Sequence, residues 1–261
     1  MSGVSECGSA VIKLGGSVIT DKTRKYTINT HNLDRIVGTI KEYVTRGGRL
    51  ALVHGGGSYG HFEVKAIEDA KGVLEPVDAP RVQLSMLRLA VQVLDKLVSN
   101  GIPAVLHPPH TLCHDGRVEN CKLGVIVKDY DMHLVPVTYG DAIPVEDGVK
   151  IVSGDDLAAA LASILSTDCL VYVIDKPGII GEKGDVIPVV TSIGNLKIVQ
   201  ETGDVDVTGG ITHKLTVALD LARTYRGNVI ITNIDGLQRL LNTGTIEGVG
   251  SLVKPEDNEE T

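Results

Sequence analysis

The sequence predicts an α/β protein, a three-layer αβα sandwich around a mainly parallel sheet. Short apolar runs alternate with longer segments whose apolar residues recur at helical spacing, the order expected of parallel strands covered by helices on both faces. One Phe, seven Tyr and no Trp leave Val, Ile, Leu and Ala to fill the core, which is typical of such buried sheets. Glycine-rich turns follow several strands, and ligands in this class of fold bind at the carboxyl ends of strands.

A single domain is expected over residues 10–254. Residues 1–9 are small and polar and predict a flexible leader, and residues 255–261 predict a solvated acidic tail. The first strand, residues 10–14, carries Lys13 near its apolar end and runs into a Gly-Gly-Ser turn. An ammonium group is costly to bury unless it meets an opposite charge, so Lys13 beside this turn indicates a phosphate site. A lysine that extends from an edge strand into solvent is the alternative.

The second glycine turn, residues 54–61, follows an apolar strand over residues 50–53 and opens a helix. Unpaired N–H groups and the helix dipole attract phosphate there, and consecutive glycines let an anion approach the backbone. Gly55, Gly57 and Gly60 also match a dinucleotide-binding pattern, which is weak by itself. A tight turn without a ligand is the other interpretation.

The remaining elements follow from apolar periodicity and from glycine and proline punctuation. Helices are predicted over residues 32–46, 80–100, 122–132, 157–165, 211–223 and 234–241. Strands are predicted over residues 102–106, 134–138, 169–174, 228–232 and 250–254, with a hairpin at 142–145 and 149–152. The segment 179–199 has no firm assignment.

Charged residues mark further strand ends. Asp155 and Asp156 open a helix after Ser153-Gly154, where acidic residues also serve as ordinary N-terminal caps. The strand at 169–174 ends in Asp175, and a Thr-Gly-Gly turn precedes a helix with Lys214 in its first turn. Because a lysine there opposes the helix dipole, a nearby anion explains Lys214 better than helix stability does.

Composition limits the partners. A formal charge of -8 argues against general binding to nucleic acid or anionic membranes, which requires clustered basic residues. No apolar run approaches the roughly 20 residues needed to span a bilayer. An anionic ligand must therefore be held by a local pocket.

The loop from His107 to His114 is the one place where a metal site is suspected, since it holds three histidines and Cys113. Two prolines prevent a helix from aligning these ligands, and no second ligand pair follows at zinc-finger spacing, so a plain loop is favoured. The four cysteines show no CxxC spacing and are expected to be reduced thiols in a cytoplasmic protein.

These motifs together resemble a known family. KLGGS at residues 13–17, the second glycine turn, SGDD at 153–156 and DVTGG at 206–210 stand in the order typical of the amino-acid kinase superfamily, over roughly residues 10–254. GGSVITDK, HGGGSYGH and PVTYGD are similar to its isopentenyl phosphate kinase branch. The strand end IDKPG departs from the usual TDVDG, and the segment that follows it is short.

The resemblance implies a kinase that uses ATP to convert isopentenyl phosphate into isopentenyl diphosphate, for isoprenoid synthesis in the mevalonate pathway. It implies Mg²⁺ bound through the ATP phosphates, a cytoplasmic homodimer, an acceptor-side lobe at about 10–165 and a nucleotide-side lobe at about 166–254. The catalytic residues it assigns are Lys13, Lys22, His61, Asp155 and Lys214. Acceptor binding falls to Gly55, Gly56, Gly60, His61, Val152, Ser153 and Gly154. ATP binding falls to Lys13, Gly15, Gly16, Ser17, Asp175, Gly178, Gly209, Gly210 and Lys214.

On this hypothesis the three lysines neutralise the transferring phosphoryl group, His61 donates a hydrogen bond to the acceptor phosphate, and Asp155 holds Lys13 in position. No general base is required, because a phosphate monoester with a second pKa near 6 is largely ionised at neutral pH. The five-carbon tail needs an apolar pocket, for which helices 61–71 and 81–100 and residues 145–152 are candidates. A sister kinase with a phosphonate, carboxylate or carbamate acceptor and a non-catalytic nucleotide sensor are the alternatives.

Overall fold

The computed structural model describes residues 7–193, 210–245 and 250–255. The strands of this part are β1 (Ser9–Leu14), β2 (Arg49–His54), β3 (Ala104–Leu106), β4 (Val135–Tyr139), β5 (Asp141–Val145), β6 (Gly148–Val152), β7 (Cys169–Val173), β8 (Val189–Val190), β9 (Asn228–Thr232) and β10 (Gly250–Val253). Its α-helices are α1 (Gly16–Ile19), α2 (Thr30–Thr45), α3 (Gly57–Lys71), α4 (Ala79–Ser99), α5 (Gly124–Asp131), α6 (Gly154–Leu165), α7 (Gly210–Ala222) and α8 (Ile234–Thr243). Short 3₁₀ turns at 76–78, 109–111 and 118–120 connect some of them.

The central sheet has eight strands in the order β3-β4-β2-β1-β7-β9-β10-β8. The pairings from β3 through β9 are all parallel, and β10 runs antiparallel to β9. Strands β5 and β6 form the separate hairpin that the sequence predicts. The predicted fold class, a mainly parallel sheet covered on both faces, is confirmed. Because β1 lies between β2 and β7, its end falls in the middle of the carboxyl edge.

Alternate residues of β1 point into two separate cores, as the two-residue period of a strand requires. Ile12 packs with apolar residues of α2, α4 and α8, and Val11 packs with residues of α5, α6 and α7. A third cluster joins α3, α4 and β5 beside the sheet. The sheet is therefore covered on both faces by apolar packing.

The segment that the sequence left unassigned contributes one short strand. Val189 and Val190 of β8 pair in parallel with β10 at the sheet edge. Residues 194–209, which include most of the DVTGG motif, lie outside the described residues, as do residues 1–6 and 256–261 of the predicted leader and tail.

The expectation of reduced thiols is wrong for this structure. Cys7 is bonded to Cys169 across 5.7 Å between Cα atoms, and Cys113 is bonded to Cys121 across 4.3 Å. The first bridge ties the chain before β1 to the first residue of β7, so residues 7–9 belong to the folded domain and not to the leader. The two cysteines are 162 residues apart and meet only because β1 and β7 pair side by side.

We expect the folded protein, before any reductant is added, to resist alkylation at all four cysteines. Reduction should then lower Tm, since a cross-link that closes so long a loop stabilises a protein by about 4–5 kcal/mol in the chain-entropy model. Mass spectrometry after alkylation with and without a reductant measures the first effect, and calorimetry measures the second. Alkylation of the untreated protein at Cys7 or Cys169 would contradict the bridge.

Among the described residues, no helix combines the length and apolar character needed to cross a bilayer.

Candidate active site

Two glycine turns meet at the ends of β1 and β2. Gly15 donates its N–H to the carbonyl of Val173 at 2.8 Å, which draws the first turn toward β7. A Cβ on Gly16 would collide with the backbone nitrogen of Gly57, and a Cβ on Gly55 would stand 2.9 Å from the nitrogen of Gly16. The backbones of the two turns are thus in direct contact, which only glycine permits. This brings the predicted residues 15–17 and 55–57 into one place.

A buried carboxylate beside these turns binds two lysines. Asp155 Oδ1 lies 2.7 Å from Lys13 Nζ, and its two oxygens lie 2.7 and 2.8 Å from Lys214 Nζ. All three residues are at least nine-tenths buried. Lys13 reaches this point from the end of β1, Asp155 from the first turn of α6 and Lys214 from the second turn of α7. Three predicted residues that are far apart in sequence therefore form one cluster.

Burial and neighbouring charges shift the protonation of this cluster. Burial by itself raises the pKa of Asp155, but the two lysines outweigh it and hold that pKa well below its usual range. Burial, together with the nearby Lys13 cation, lowers the pKa of Lys214 to about 8, even though Asp155 opposes both effects. One negative charge thus faces two positive charges, and the cluster carries a net charge of +1 when both lysines are protonated.

Neighbouring groups fix the position of Asp155. Ser153 caps α6 by accepting the N–H of Asp155 at 3.1 Å through its hydroxyl. The Tyr172 hydroxyl donates to the Asp155 carbonyl at 3.2 Å, and its ring centroid lies 5.0 Å from Lys214 Nζ. The cap of α6 is therefore Ser153, whereas the side chain of Asp155 binds the two lysines and does not cap the helix.

Lys22 approaches the site from a segment of residues 20–28, here named the strap, whose ends pair as Thr20 and Ile28. Lys22 Nζ lies 3.3 Å from Asp175 Oδ2 at the end of β7, and both side chains are a little over two-fifths exposed. The strap thus connects the turn after β1 with the segment that follows β7.

The predicted acceptor residues surround the second glycine turn. Val152 and Ser153 are buried, and a Cβ on Gly154 would stand 3.5 Å from Lys13 Cε, so the SGDD turn adjoins the charged cluster. Gly56 and Gly60 lie against Met86 Sδ of α4. His61 is half-buried and follows Gly60 on α3.

Comparison with known proteins identifies the group to which this arrangement belongs. Residues 9–233 match the model of a family described as the amino acid kinase family. The chain belongs to the amino acid kinase family. The chain is therefore a phosphotransferase, as its motifs predicted.

Individual relatives agree with the branch that the motifs indicated. The isopentenyl phosphate kinase of Methanocaldococcus jannaschii is 32% identical over 219 residues, which cover 78% of this chain and 84% of the relative. That of Haloferax volcanii is 35% identical over 229 residues, covering 81% and 87%. A crystal structure of the Thermoplasma acidophilum isopentenyl phosphate kinase product complex superposes with a TM-score of 0.77 at 26% identity, over 94% of this chain and 100% of that one. The predicted likeness to this branch of the family is confirmed.

Some predicted nucleotide residues are not brought to the cluster. Gly178 is buried against Ser251 of β10 and the side chain of Val186, so close packing explains why it is glycine. Gly209 lies outside the described residues, and Gly210 is the first residue of α7. Ser17 is half-buried in α1 beside the first turn.

The suspected histidine loop has another explanation. His107 Nε2 lies 3.0 Å from Asp129 Oδ2, and His110 Nδ1 lies 2.8 Å from the buried Asp141 Oδ2. The hydrogen bond with Asp141 raises the pKa of His110. Across residues 7–193, 210–245 and 250–255, no group of three acidic, histidine or cysteine side chains could hold a metal ion.

Sequence reasoning missed several residues around the site. His54, the last residue of β2, is fully buried, stacks on Tyr139 at 5.2 Å between ring centroids, and has its pKa lowered to about 4 by burial. His213 pairs with Asp156 at 3.2 Å. The position of His54 directly before three glycines could have indicated that it lies at the site. Met86 and His213 fit ordinary helical spacing, so only the folded structure shows that they lie near the site.

Proposed function

We propose that this protein transfers the γ-phosphoryl group of ATP to isopentenyl phosphate, producing isopentenyl diphosphate and ADP for isoprenoid synthesis. The observation that carries the proposal is the buried Lys13–Asp155–Lys214 cluster next to two touching glycine turns. The named activity of the relatives supports the choice of acceptor.

The cluster suits a reaction between two phosphorylated molecules. The main obstacle is the repulsion between their negative charges, which fixed positive charge in a water-poor site relieves. Asp155 is saturated by two lysines and has its pKa held low, so it does not act as a general base. Its role is to hold Lys13 and Lys214 together, and the ionised acceptor oxygen attacks the γ-phosphorus directly.

Two acidic residues at the site, Asp155 and Asp175, are already paired with lysines, which is consistent with Mg²⁺ binding through ATP oxygens and not through protein carboxylates. Both oxygens of Asp155 already bind ammonium groups, and Asp175 is paired with Lys22. When bound, Mg²⁺ would neutralise charge on the β- and γ-phosphates, where Lys13, Lys22 and Lys214 add their own positive charge.

The apolar tail of the acceptor is assigned to the region between α3, α4 and the β5–β6 hairpin. Val64 of α3, Met86 of α4 and Ala142 of β5 belong to one apolar cluster that borders the second glycine turn. A homodimer and a cytoplasmic location complete the proposal, with ATP and the phosphorylated acceptor as its small-molecule partners. This location requires both disulfides to persist against cytoplasmic reductants.

An ADP-release assay tests the proposal. The purified protein, ATP and Mg²⁺ are combined separately with isopentenyl phosphate, dimethylallyl phosphate, fosfomycin, carbamate and glutamate. We expect the highest kcat/KM with isopentenyl phosphate. A clear preference for fosfomycin, carbamate or glutamate would replace the acceptor, and no turnover with any of them would indicate a nucleotide-binding sensor.

Replacing His61 with Ala is expected to raise KM for isopentenyl phosphate by about 10–100-fold with a smaller effect on KM for ATP, because hydrogen bonds to charged groups are worth about 1.5–3 kcal/mol. Initial-rate kinetics with each substrate varied in turn measure the difference. His31→Ala is a matched control, since His31 is exposed at the start of α2. Equal acceptor KM values for His61→Ala and the wild type would remove His61 from the acceptor site.

A further inference from the structure

The strap is held in an unfavourable backbone conformation at Tyr26. Tyr26 has a φ of +55°, in the left-handed region that a residue with a bulky side chain rarely adopts. Such a conformation persists only where surrounding contacts over-determine it, and it is found preferentially at functional sites. Lys22, which the proposed function assigns to phosphoryl transfer, is four residues earlier in the same strap.

The backbone of the strap is bonded to the start of α3. Tyr26 donates its N–H to the Ser58 carbonyl at 3.1 Å, and its own carbonyl accepts the Tyr59 hydroxyl at 2.9 Å. The Ser58 hydroxyl donates to the Thr27 carbonyl at 3.2 Å, and the rings of Tyr26 and Tyr59 lie 5.4 Å apart. These contacts place the strap against the second glycine turn, because Ser58 and Tyr59 belong to that turn and directly follow its three glycines.

One buried carboxylate lies beneath these contacts. Glu63 of α3 has a side chain that is only 2% exposed, and its Oε1 accepts the Tyr26 hydroxyl and lies 2.7 Å from Lys25 Nζ. Its other oxygen forms an ion pair with Arg81 of α4. Glu63 therefore joins the strap, α3 and α4 at a single point. Two of its three partners, Tyr26 and Lys25, belong to the strap.

We propose that Glu63 is a positioning residue for phosphoryl transfer: its buried carboxylate fixes the strap and thereby the location of Lys22. This inference rests on the proposed function, since it takes Lys22 to act on the phosphates. Glu63 itself does not contact the charged cluster around Asp155, whose ion pairs are with Lys13 and Lys214. Its effect must therefore be transmitted through the strap.

The chemistry of Glu63 favours a positioning role over a purely stabilising one. A buried carboxylate costs desolvation, and apolar side chains of similar volume stabilise a fold at least as well as a buried ion pair does. What an apolar side chain cannot do is bind the Tyr26 hydroxyl and the Lys25 ammonium group at defined points. The carboxylate thus supplies a directional attachment for the segment that carries Lys22.

A double-mutant cycle between Glu63 and Lys22 tests this. Glu63→Gln keeps the size of the side chain and removes its charge, and we expect it to lower kcat by about tenfold or more, since small misplacements of reacting groups cost up to about 100-fold. In a Lys22→Ala background the same change should lower kcat by less than about twofold, because residues that act through one another are non-additive. Equal effects of Glu63→Gln in both backgrounds would overturn the proposal.

Hydrogen exchange supplies a readout that does not depend on turnover. In Glu63→Gln the amides of residues 21–27 should exchange faster than in the wild type, while those of β1 and β7 stay protected. Tyr26→Phe removes one hydroxyl, and it should speed exchange in the same residues with a smaller decrease in kcat. Glu68→Gln is the matched control, because Glu68 is exposed on the same helix. Unchanged exchange in the strap, or loosening across the whole sheet, would contradict a positioning role.

These outcomes separate the inference from the proposed function. If wild-type protein does not phosphorylate isopentenyl phosphate, the function fails, and the exchange experiment still decides whether Glu63 holds the strap. If wild-type protein turns over normally and Lys22→Ala is as active as the wild type, the assignment of Lys22 fails and the positioning proposal with it.

Discussion

An Asp155→Asn variant is expected to lose about 1,000-fold or more in kcat/KM and about 3–5 kcal/mol in the free energy of unfolding. Removing one partner of a buried ionic cluster leaves the remaining charges uncompensated, which is strongly destabilising. Here two buried ammonium groups lose their common counter-charge at distances of 2.7–2.8 Å. Without Asp155, burial would favour the neutral form of Lys214 more strongly, and the positive charge that the proposed function assigns to phosphate binding would be reduced.

The pH dependence of stability checks the same cluster. The folded-state pKa of Asp155 lies below its unfolded value of about 3.9, so its contribution to stability is fully present above that pH and is lost as the pH falls toward the folded-state pKa. The wild type should therefore lose stability below about pH 4. Asp155→Asn should lose less over the same range, because amide groups do not titrate there.

Urea unfolding at several pH values and steady-state kinetics measure these effects. Asp156→Asn is the matched control: it makes the same chemical change one residue away, on a half-buried side chain that pairs with His213. We expect Asp156→Asn to retain activity within about threefold, in keeping with the modest worth of partly exposed pairs. Comparable losses in both variants would show that any charge removed from the start of α6 disrupts the site.

Much of the site could be predicted because some of its charged residues occur where the local pattern of a strand or helix disfavours them. Lys13 interrupts an apolar strand, and Lys214 opposes the dipole of α7, so each indicated an unseen anion before any contact was known. The parallel sheet then required all strand ends to share one edge, which brought these residues together. The structure adds that Asp155 binds both lysines rather than Lys13 alone.

Other features could not be predicted, because the residues that form them fit the local sequence pattern of their strand or helix. Glu63 lies in a helix with several other charged residues, and only the fold shows that it faces inward toward Tyr26 and Arg81. Cys7 and Cys169 are separated by most of the chain, and their pairing depends on β1 and β7 being neighbours. Position in the sheet, not local pattern, decides both cases.

A Lys214→Met variant is expected to lower kcat by about 100–1,000-fold, the loss typical of removing one preorganised group that stabilises transition-state charge. Lys65→Met is the matched control: Lys65 is exposed on α3, so this variant carries the same substitution at the protein surface. The pH profile is the sharper test. Burial lowers the pKa of Lys214 to about 8, so kcat/KM, which reports the free enzyme, should fall as the pH rises through about 8.

Stability and activity should then move in opposite directions. Between about pH 8 and the unfolded-state pKa of about 10.4 the unfolded chain holds the Lys214 proton more firmly than the folded one, so this group increases stability with rising pH while activity declines. The alkaline decrease in kcat should occur at a higher pH than the alkaline decrease in kcat/KM, because bound phosphates favour the charged form of Lys214. Lys214→Arg, which stays protonated, should abolish the limb near pH 8 even if its rate is lower. A limb of unchanged position in Lys214→Arg would show that another group titrates there, and would remove Lys214 as the source of the alkaline loss.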